Sequence, residues 1–306
     1  AGTRAPLVLC NWSPHELTLR ADVTNTAAAG ALLKTGTGPL TLYSTNTCPG
    51  GTAATAGTFK LAGGASLGSG PVAFDGASLQ LDGGTVNPAT GNAWRLSFAN
   101  GTLSQTGGNL TYGGYLLAWN ETLALSGGAS YVGTDTLLGW GGTNTSVTVG
   151  GSHSANWRVT RLSSGSVSVS LQSGGKLFTD RLYCSAGATG SVFFDGGVLG
   201  VSSIAPALNP GDWLGVVSGS LSLFVKDGGA IIDTENGSVT LRRPLLQDGA
   251  STGGLTKTGR NTLTLAISNG FSTCTYAGDT AVLGGTLKLS APTVSPLPAG
   301  TRMTVA

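Results

Sequence analysis

Charge is scarce in this chain: only 10% of its 306 residues are Asp, Glu, Lys or Arg, against about 25% in an ordinary soluble domain. The 16 basic and 14 acidic residues give a net charge of +2 and form no basic run, so the electrostatic footprint of a nucleic-acid binder is missing. Histidine is limited to His15 and His153, and the four cysteines show no Cys-x-x-Cys spacing. Neither pattern suits a zinc centre, and no metal or other cofactor is expected. Apolar runs stay well short of the roughly 20 residues of a membrane-spanning helix. No helical periodicity stands out. The chain starts at Ala1 with neither a methionine nor a charged and hydrophobic leader, which fits a mature, processed chain.

Glycine and strand-forming residues fill the space that charge leaves. There are 51 glycines and 40% hydrophobic residues; glycine has no Gly-X-Y period, so collagen is excluded, and the apolar content is too high for a disordered linker. Glycine pairs recur at Gly63-Gly64, Gly83-Gly84, Gly107-Gly108, Gly127-Gly128, Gly150-Gly151, Gly174-Gly175, Gly196-Gly197 and Gly228-Gly229, mostly in steps of 20 to 24 residues. Fixed self-similarity of this length marks a solenoid. Asp82, Asp195 and Asp227 stand directly before such pairs, which is turn chemistry. Between the turns, Ser166-Val167-Ser168-Val169-Ser170-Leu171 alternates with the period of a strand that has one face buried. The reading is an all-β protein, one continuous β-helix of roughly twelve coils at about 4.8 Å each. Residues 1–26, rich in proline and irregular, read as a cap or docking segment, and residues 200–219 as a projecting loop.

One motif occurs twice. Lys34-Thr35-Gly36 with Leu40-Thr41-Leu42 has the same spacing as Lys257-Thr258-Gly259 with Leu263-Thr264-Leu265, 223 residues later. Gly57-Thr58-Phe59-Lys60-Leu61 matches Gly285-Thr286-Leu287-Lys288-Leu289 in the same way. The stretch Gly253 to Leu289, with its Gly-Gly-Leu-Thr-Lys opening and Thr-Leu-Thr-Leu strand, resembles the passenger-associated repeat of bacterial autotransporters. That resemblance implies a right-handed parallel β-helix and a secreted or cell-surface location.

Several residues are candidates for chemistry or assembly. Trp94, Trp119, Trp140 and Trp157 recur at 25, 21 and 17 residues, close to one per coil, and are read as an aromatic ladder that either packs or offers a platform for sugar rings. Asp233 and Glu235 form the one close carboxylate pair at strand spacing, the arrangement a glycosidase would need, and are read instead as a solvated strand end running into a turn. His15 and His153 are read as surface histidines, with no nucleophile-elbow motif nearby. Cys10 and Cys48 lie under two coils apart and could pair. Cys184 and Cys274 are separated by some four coils, roughly 19 Å, and are read as free or paired between molecules. Six Asn-x-Ser/Thr sequons, including those at Asn100 and Asn120, are expected by chance in so threonine-rich a chain.

These features lead to the expectation of a non-enzymatic extracellular rod that stacks on itself head to tail. Ala1-Gly2-Thr3-Arg4 and Ala299-Gly300-Thr301-Arg302 suggest related structure at the two ends. The competing expectations are a glycan-binding adhesin passenger, with extracellular polysaccharide as partner, and a polysaccharide lyase or hydrolase on the same scaffold.

Overall fold

The computed structural model describes residues 6–24, 30–89, 96–204, 213–267, 273–290 and 295–306. The described residues contain no helix and form a parallel β-solenoid of right-handed type with about twelve coils. Trp94, residues 1–4 and residues 205–212 of the 200–219 segment lie outside them.

Most coils contribute a short strand to each of three faces; in the first coils the third face is reduced to isolated bridges, and the second face ends at Leu245–Gln247. The first face starts at Leu7–Cys10, which pairs in parallel with Ala31–Thr35, and runs to Leu214–Val216. It continues through the three-stranded sheet of Val239–Leu241, Thr262–Leu265 and Thr286–Leu289, to which Trp213 N is joined by a 3.4 Å bond to Thr240 O. The second face is an 11-stranded sheet from Leu17–Leu19 to Leu245–Gln247. The third carries Asn109–Tyr112, Lys176–Phe178, Ala230–Asp233 and their neighbours, ending at Met303–Val305. The first and third faces merge into one 18-stranded sheet. Ala129–Leu138 and Ser154–Leu162 bend through the corner between them, with a register irregularity between Val132 and Asp135.

The core follows from the strand period. On the second face, Leu79, Leu103, Leu123, Val147, Val169 and Val192 occupy one register position in successive coils, and all are buried. Burying each such side chain contributes roughly 1.5–3 kcal/mol, and the repetition makes one continuous apolar column.

Two lysines break this pattern in the same way. Lys34 and Lys257 have the inward parity of Leu32 and Leu255 and are 0% exposed. The Lys257 ammonium donates to the carbonyls of Thr258 (2.7 Å), Gly259 (2.7 Å) and Gly284 (2.8 Å). Lys34 donates to Thr35, Gly36 and Ala56 in the same arrangement. Burial lowers both pKa values, and nearby ionisable groups pull the other way, Cys10 for Lys34 and Asp233 and Glu235 for Lys257. The glycine of each motif takes positive φ, +78° at Gly36 and +75° at Gly259, and a Cβ there would overlap the backbone of Asn11 or Glu235. The repeated Lys-Thr-Gly is therefore a corner device: a cation inside the coil that ties three carbonyls across two coils.

Several expectations need correction. Part of the 1–26 segment is regular, since Leu7–Cys10 and Leu17–Leu19 form the first coil in register with the next. Residues 200–219 are not all loop, because Leu214–Val216 is a face-one strand and Trp213 is fully buried with Nε1 on Thr179 O at 2.9 Å. The turn aspartates reach along the rod to the next coil: Asp195 Oδ1 accepts from Gly228 N (3.0 Å) and Asp227 Oδ1 from Thr252 N (2.9 Å). All four cysteines are free thiols, so Cys10 and Cys48 are not paired. Cys48, Cys184 and Cys274 are buried, which removes Cys274 as a cross-link between copies. Burial raises all three thiols, Cys184 and Cys274 to about 11.

Two outcomes follow from this packing. Native protein treated with a thiol reagent at neutral pH is expected to label at Cys10 alone, and unfolding in denaturant to expose the other three, as counted by intact mass. Lys257→Met strands three carbonyls and is expected to destabilise the chain by about 1–3 kcal/mol, read from urea unfolding followed by tryptophan fluorescence.

Candidate functional site

The described tryptophans do not form one ladder. Trp119 ends a face-one strand and is half-buried, Trp140 lies in the following turn and is 44% exposed, and Trp157 is buried on the third face. Their sequence spacing is close to one coil, but each falls at a different point of its coil.

Trp157 belongs to a closed internal network. Its Nε1 donates to Ser130 Oγ at 3.0 Å, Ser130 Oγ lies 3.0 Å from His153 Nε2, and His153 Nδ1 lies 2.8 Å from Gly127 O. A carbonyl only accepts, so Nδ1 carries the proton, Nε2 accepts from the serine, and every group is satisfied. His153 is fully buried, which corrects its reading as a surface residue. The serine–histidine pair is sealed inside the coil and braces the core. His15 is exposed.

Asp233 and Glu235 are engaged in a turn. Asp233 Oδ1 accepts from Glu235 N at 2.8 Å, and Glu235 pairs with Arg260 at 3.4 Å on the exposed corner. Elsewhere, Asp180 is fully buried with neither carboxylate oxygen hydrogen-bonded; burial pushes it up to about 6, with Arg158 pulling the other way.

The most structured surface is the corner between the first and second faces, which sequence reasoning missed. Asn100 and Asn120 take positive φ, 53° and 50°, which asparagine tolerates better than most residues. Asn120 Nδ2 donates to Asn100 Oδ1 (3.0 Å), Asn100 Nδ2 to Asp75 Oδ1 (2.7 Å), and Thr143 N to Asn120 Oδ1 (2.8 Å). These bonds make an amide ladder along the rod. Beside it, an outward column of hydroxyls runs unbroken from Thr58 through Ser78, Thr102, Thr122, Ser146 and Ser168 to Ser222. A groove of about 320 Å³ opens here, lined by Asn120, Glu121, Thr122, residues 143–146, Ser166 and Ser168.

Glu121 sits in the wall of this groove. It shares the parity of Leu123 and Leu125 and is 3% exposed. Its Oε2 accepts from Gly101 N at 2.8 Å, whereas Oε1 has no partner. Burial pushes the carboxyl up to about 7, with the Gly101 bond pulling it down.

No family pattern, curated protein or solved structure matches this chain.

The buried titratable groups act on stability in two opposite senses. Glu121 holds its proton more tightly when folded, so its contribution is complete below pH 4.5, its ordinary pKa, and is lost as pH rises through about 7. Asp180 has the same sign between 3.8 and about 6. Burial holds His153 below its ordinary 6.5, so its contribution is complete above pH 6.5 and lost as pH falls below it. Thermal midpoints measured between about pH 4 and 9 should show this by difference: His153→Gln removes the acid-side loss, and Glu121→Gln removes the loss toward neutral pH.

Proposed function

We propose that this chain is a non-enzymatic structural rod of the cell exterior, lengthened by end-to-end stacking with further copies of itself. The observation that carries this reading is the chemistry of the first and last described coils. Leu7, Val8, Trp12 and Leu17 are exposed in the first, and Leu289, Met303 and Val305 in the last, Val305 at 72%. Among the described residues each of their strands has a ladder on one side. Leu7–Cys10 pairs with Ala31–Thr35 and Leu17–Leu19 with Leu40–Leu42, while Thr286–Leu289 pairs with Thr262–Leu265 and Met303–Val305 with Thr280–Val282.

An open strand edge is a template for another chain. Because these ladders are parallel, the edge left open at one end has the polarity that the edge at the other end needs. A contact between two different surfaces that does not close on itself generates a filament. The resemblance of Gly253 to Leu289 to the autotransporter passenger repeat supports the exterior location. Support for a non-catalytic role comes from the sealed Ser130–His153 pair and from the use of Asp233 and Glu235 in a turn.

Negative-stain microscopy and sedimentation of the purified chain test the proposal. Linear multimers that grow with concentration are expected, and Met303→Lys with Val305→Lys should return them to single rods without changing the circular dichroism. Single rods at every concentration would refute end-to-end stacking.

A further inference from the structure

Asn100 and Gly101 stand in the amide ladder, and three side chains from the coils on either side engage them at once. The Gly101 backbone N donates to Glu121 Oε2 at 2.8 Å. Asn100 Oδ1 accepts from Asn120 Nδ2 at 3.0 Å, and Asn100 Nδ2 donates to Asp75 Oδ1 at 2.7 Å. Asn120 is itself held in orientation, because its Oδ1 accepts from Thr143 N at 2.8 Å and from Thr143 Oγ1 at 3.2 Å. Glu121 is buried, whereas Asn100 is exposed, so water reaches the asparagine amide.

In an asparagine-glycine pair the glycine nitrogen can close on the asparagine side chain, and the missing Cβ leaves that approach unhindered. The fold itself demands glycine here, since a Cβ at Gly101 would overlap Ala77 O. Ring closure is an acyl transfer, which needs a base on the nucleophile's proton, a donor where negative charge develops, and room for the leaving group. Glu121 holds the Gly101 proton, Asn120 Nδ2 faces the carbonyl oxygen, and the Asn100 amide nitrogen lies on the exposed corner beside Asp75. The strands on either side of Glu121, Thr102–Gln105 and Asn144–Val149, carry no titratable side chain. Burial therefore dominates its ionisation, against the Gly101 bond, and brings it to about 7, where a general base works best near neutral pH.

We propose that Asn100-Gly101 is a self-modification site, at which Gly101 N attacks Asn100 Cγ to close a succinimide ring and release ammonia. Glu121 takes the Gly101 amide proton as the N–Cγ bond forms. The carbonyl electron pair moves onto Oδ1, where the Asn120 amide stabilises it. When that pair returns, the Cγ–Nδ2 bond breaks; the nitrogen receives the proton back from Glu121 through water and leaves as ammonia. Glu121 is regenerated, and a further water opens the ring to aspartate or isoaspartate at position 100. The new carboxylate faces Asp75 where an amide donor stood, so a hydrogen bond between coils gives way to like-charge repulsion. Net charge falls from +2 by one unit. The reaction needs no partner beyond water and is independent of end-to-end stacking.

The test is peptide mapping by mass spectrometry of the full chain, incubated folded in buffer and, in parallel, unfolded in concentrated urea. Loss of ammonia at Asn100, followed by gain of water, should run about tenfold or more faster in the folded chain, the lower side of what a positioned base supplies. Asn236-Gly237, the same dipeptide with its amide on Val201 O, should show no such acceleration. The folded rate at Asn100 should rise as Glu121 ionises across neutral pH and then level off. Glu121→Gln should remove both the acceleration and that pH profile. Asn120→Gly, which accommodates the positive φ, should slow the reaction and keep the profile. Circular dichroism and thermal unfolding establish that the variants fold, and the comparison of folded with unfolded native sequence needs no variant. The proposal is overturned if the folded chain reacts at Asn100 no faster than the unfolded one, the outcome if these bonds only brace the corner. It is equally overturned if Asn236 is accelerated as much, or if folded Glu121→Gln reacts as the native sequence does.

Discussion

Parallel, in-register pairing between coils is the constraint on which everything else in this molecule rests. Leu103 lies over Leu123, Leu123 over Val147 and Val147 over Val169, so the choice of side chain at one coil is also the choice of neighbour for the next. A slip of one residue would turn a whole apolar column toward water. The same rule forces any polar residue of inward parity to find its partners within the coil. The corners are where this can be done, because there the strand hydrogen bonding is interrupted and carbonyls turn inward. Lys34 and Lys257 use three carbonyls each. Gln105 reaches the carbonyls of Gly108 and Ala129, and His153 closes a chain with Ser130 and Trp157.

Much of the fold was legible in the sequence because its signals are local. Alternation in residues 166–171 and the recurring glycine pairs describe strands and turns wherever the chain happens to lie. The inward polar residues needed one further step, which was to carry strand parity across them. His153 alternates with Ala155 and Trp157, Glu121 with Leu123 and Leu125, and Lys34 with Leu32; all of these are buried. A parity count would have marked each polar member as internal. The tryptophan series failed for a different reason. Coil length varies and the corners take up the variation, so residues 21 and 17 positions apart drift around the coil. Cys10 and Cys48 are likewise close in coil number, but Cys10 ends a face-one strand and Cys48 follows the third-face bridge at Thr47.

The scarcity of charge has a consequence for how such a surface meets other molecules. Long-range steering needs a field, and the four ion pairs among the described residues are exposed or partly exposed, where each is worth at most about 1 kcal/mol. Recognition along the rod must then rest on short-range hydrogen bonds and contact, which depend on shape and repeat and little on salt. A surface built from columns suits partners that are themselves periodic, whether another solenoid end or a chain of repeating units.

Within that logic the inward polar groups differ in how fully they are satisfied, and unpaired atoms occur at Thr52, Gln105, Thr136, Ser163 and Asp180 as well as at Glu121 and Thr145. The lysine corners and the His153 network leave none of their charged or ring nitrogens without a partner, and they sit where the coil is closed. Glu121 and Thr145 share the same inward parity, but they stand where the corner opens onto a groove, and each keeps one buried polar atom unpaired. If stability alone had set these two positions, the Leu and Val of the neighbouring columns would serve better, since an apolar pair of similar shape carries no desolvation penalty.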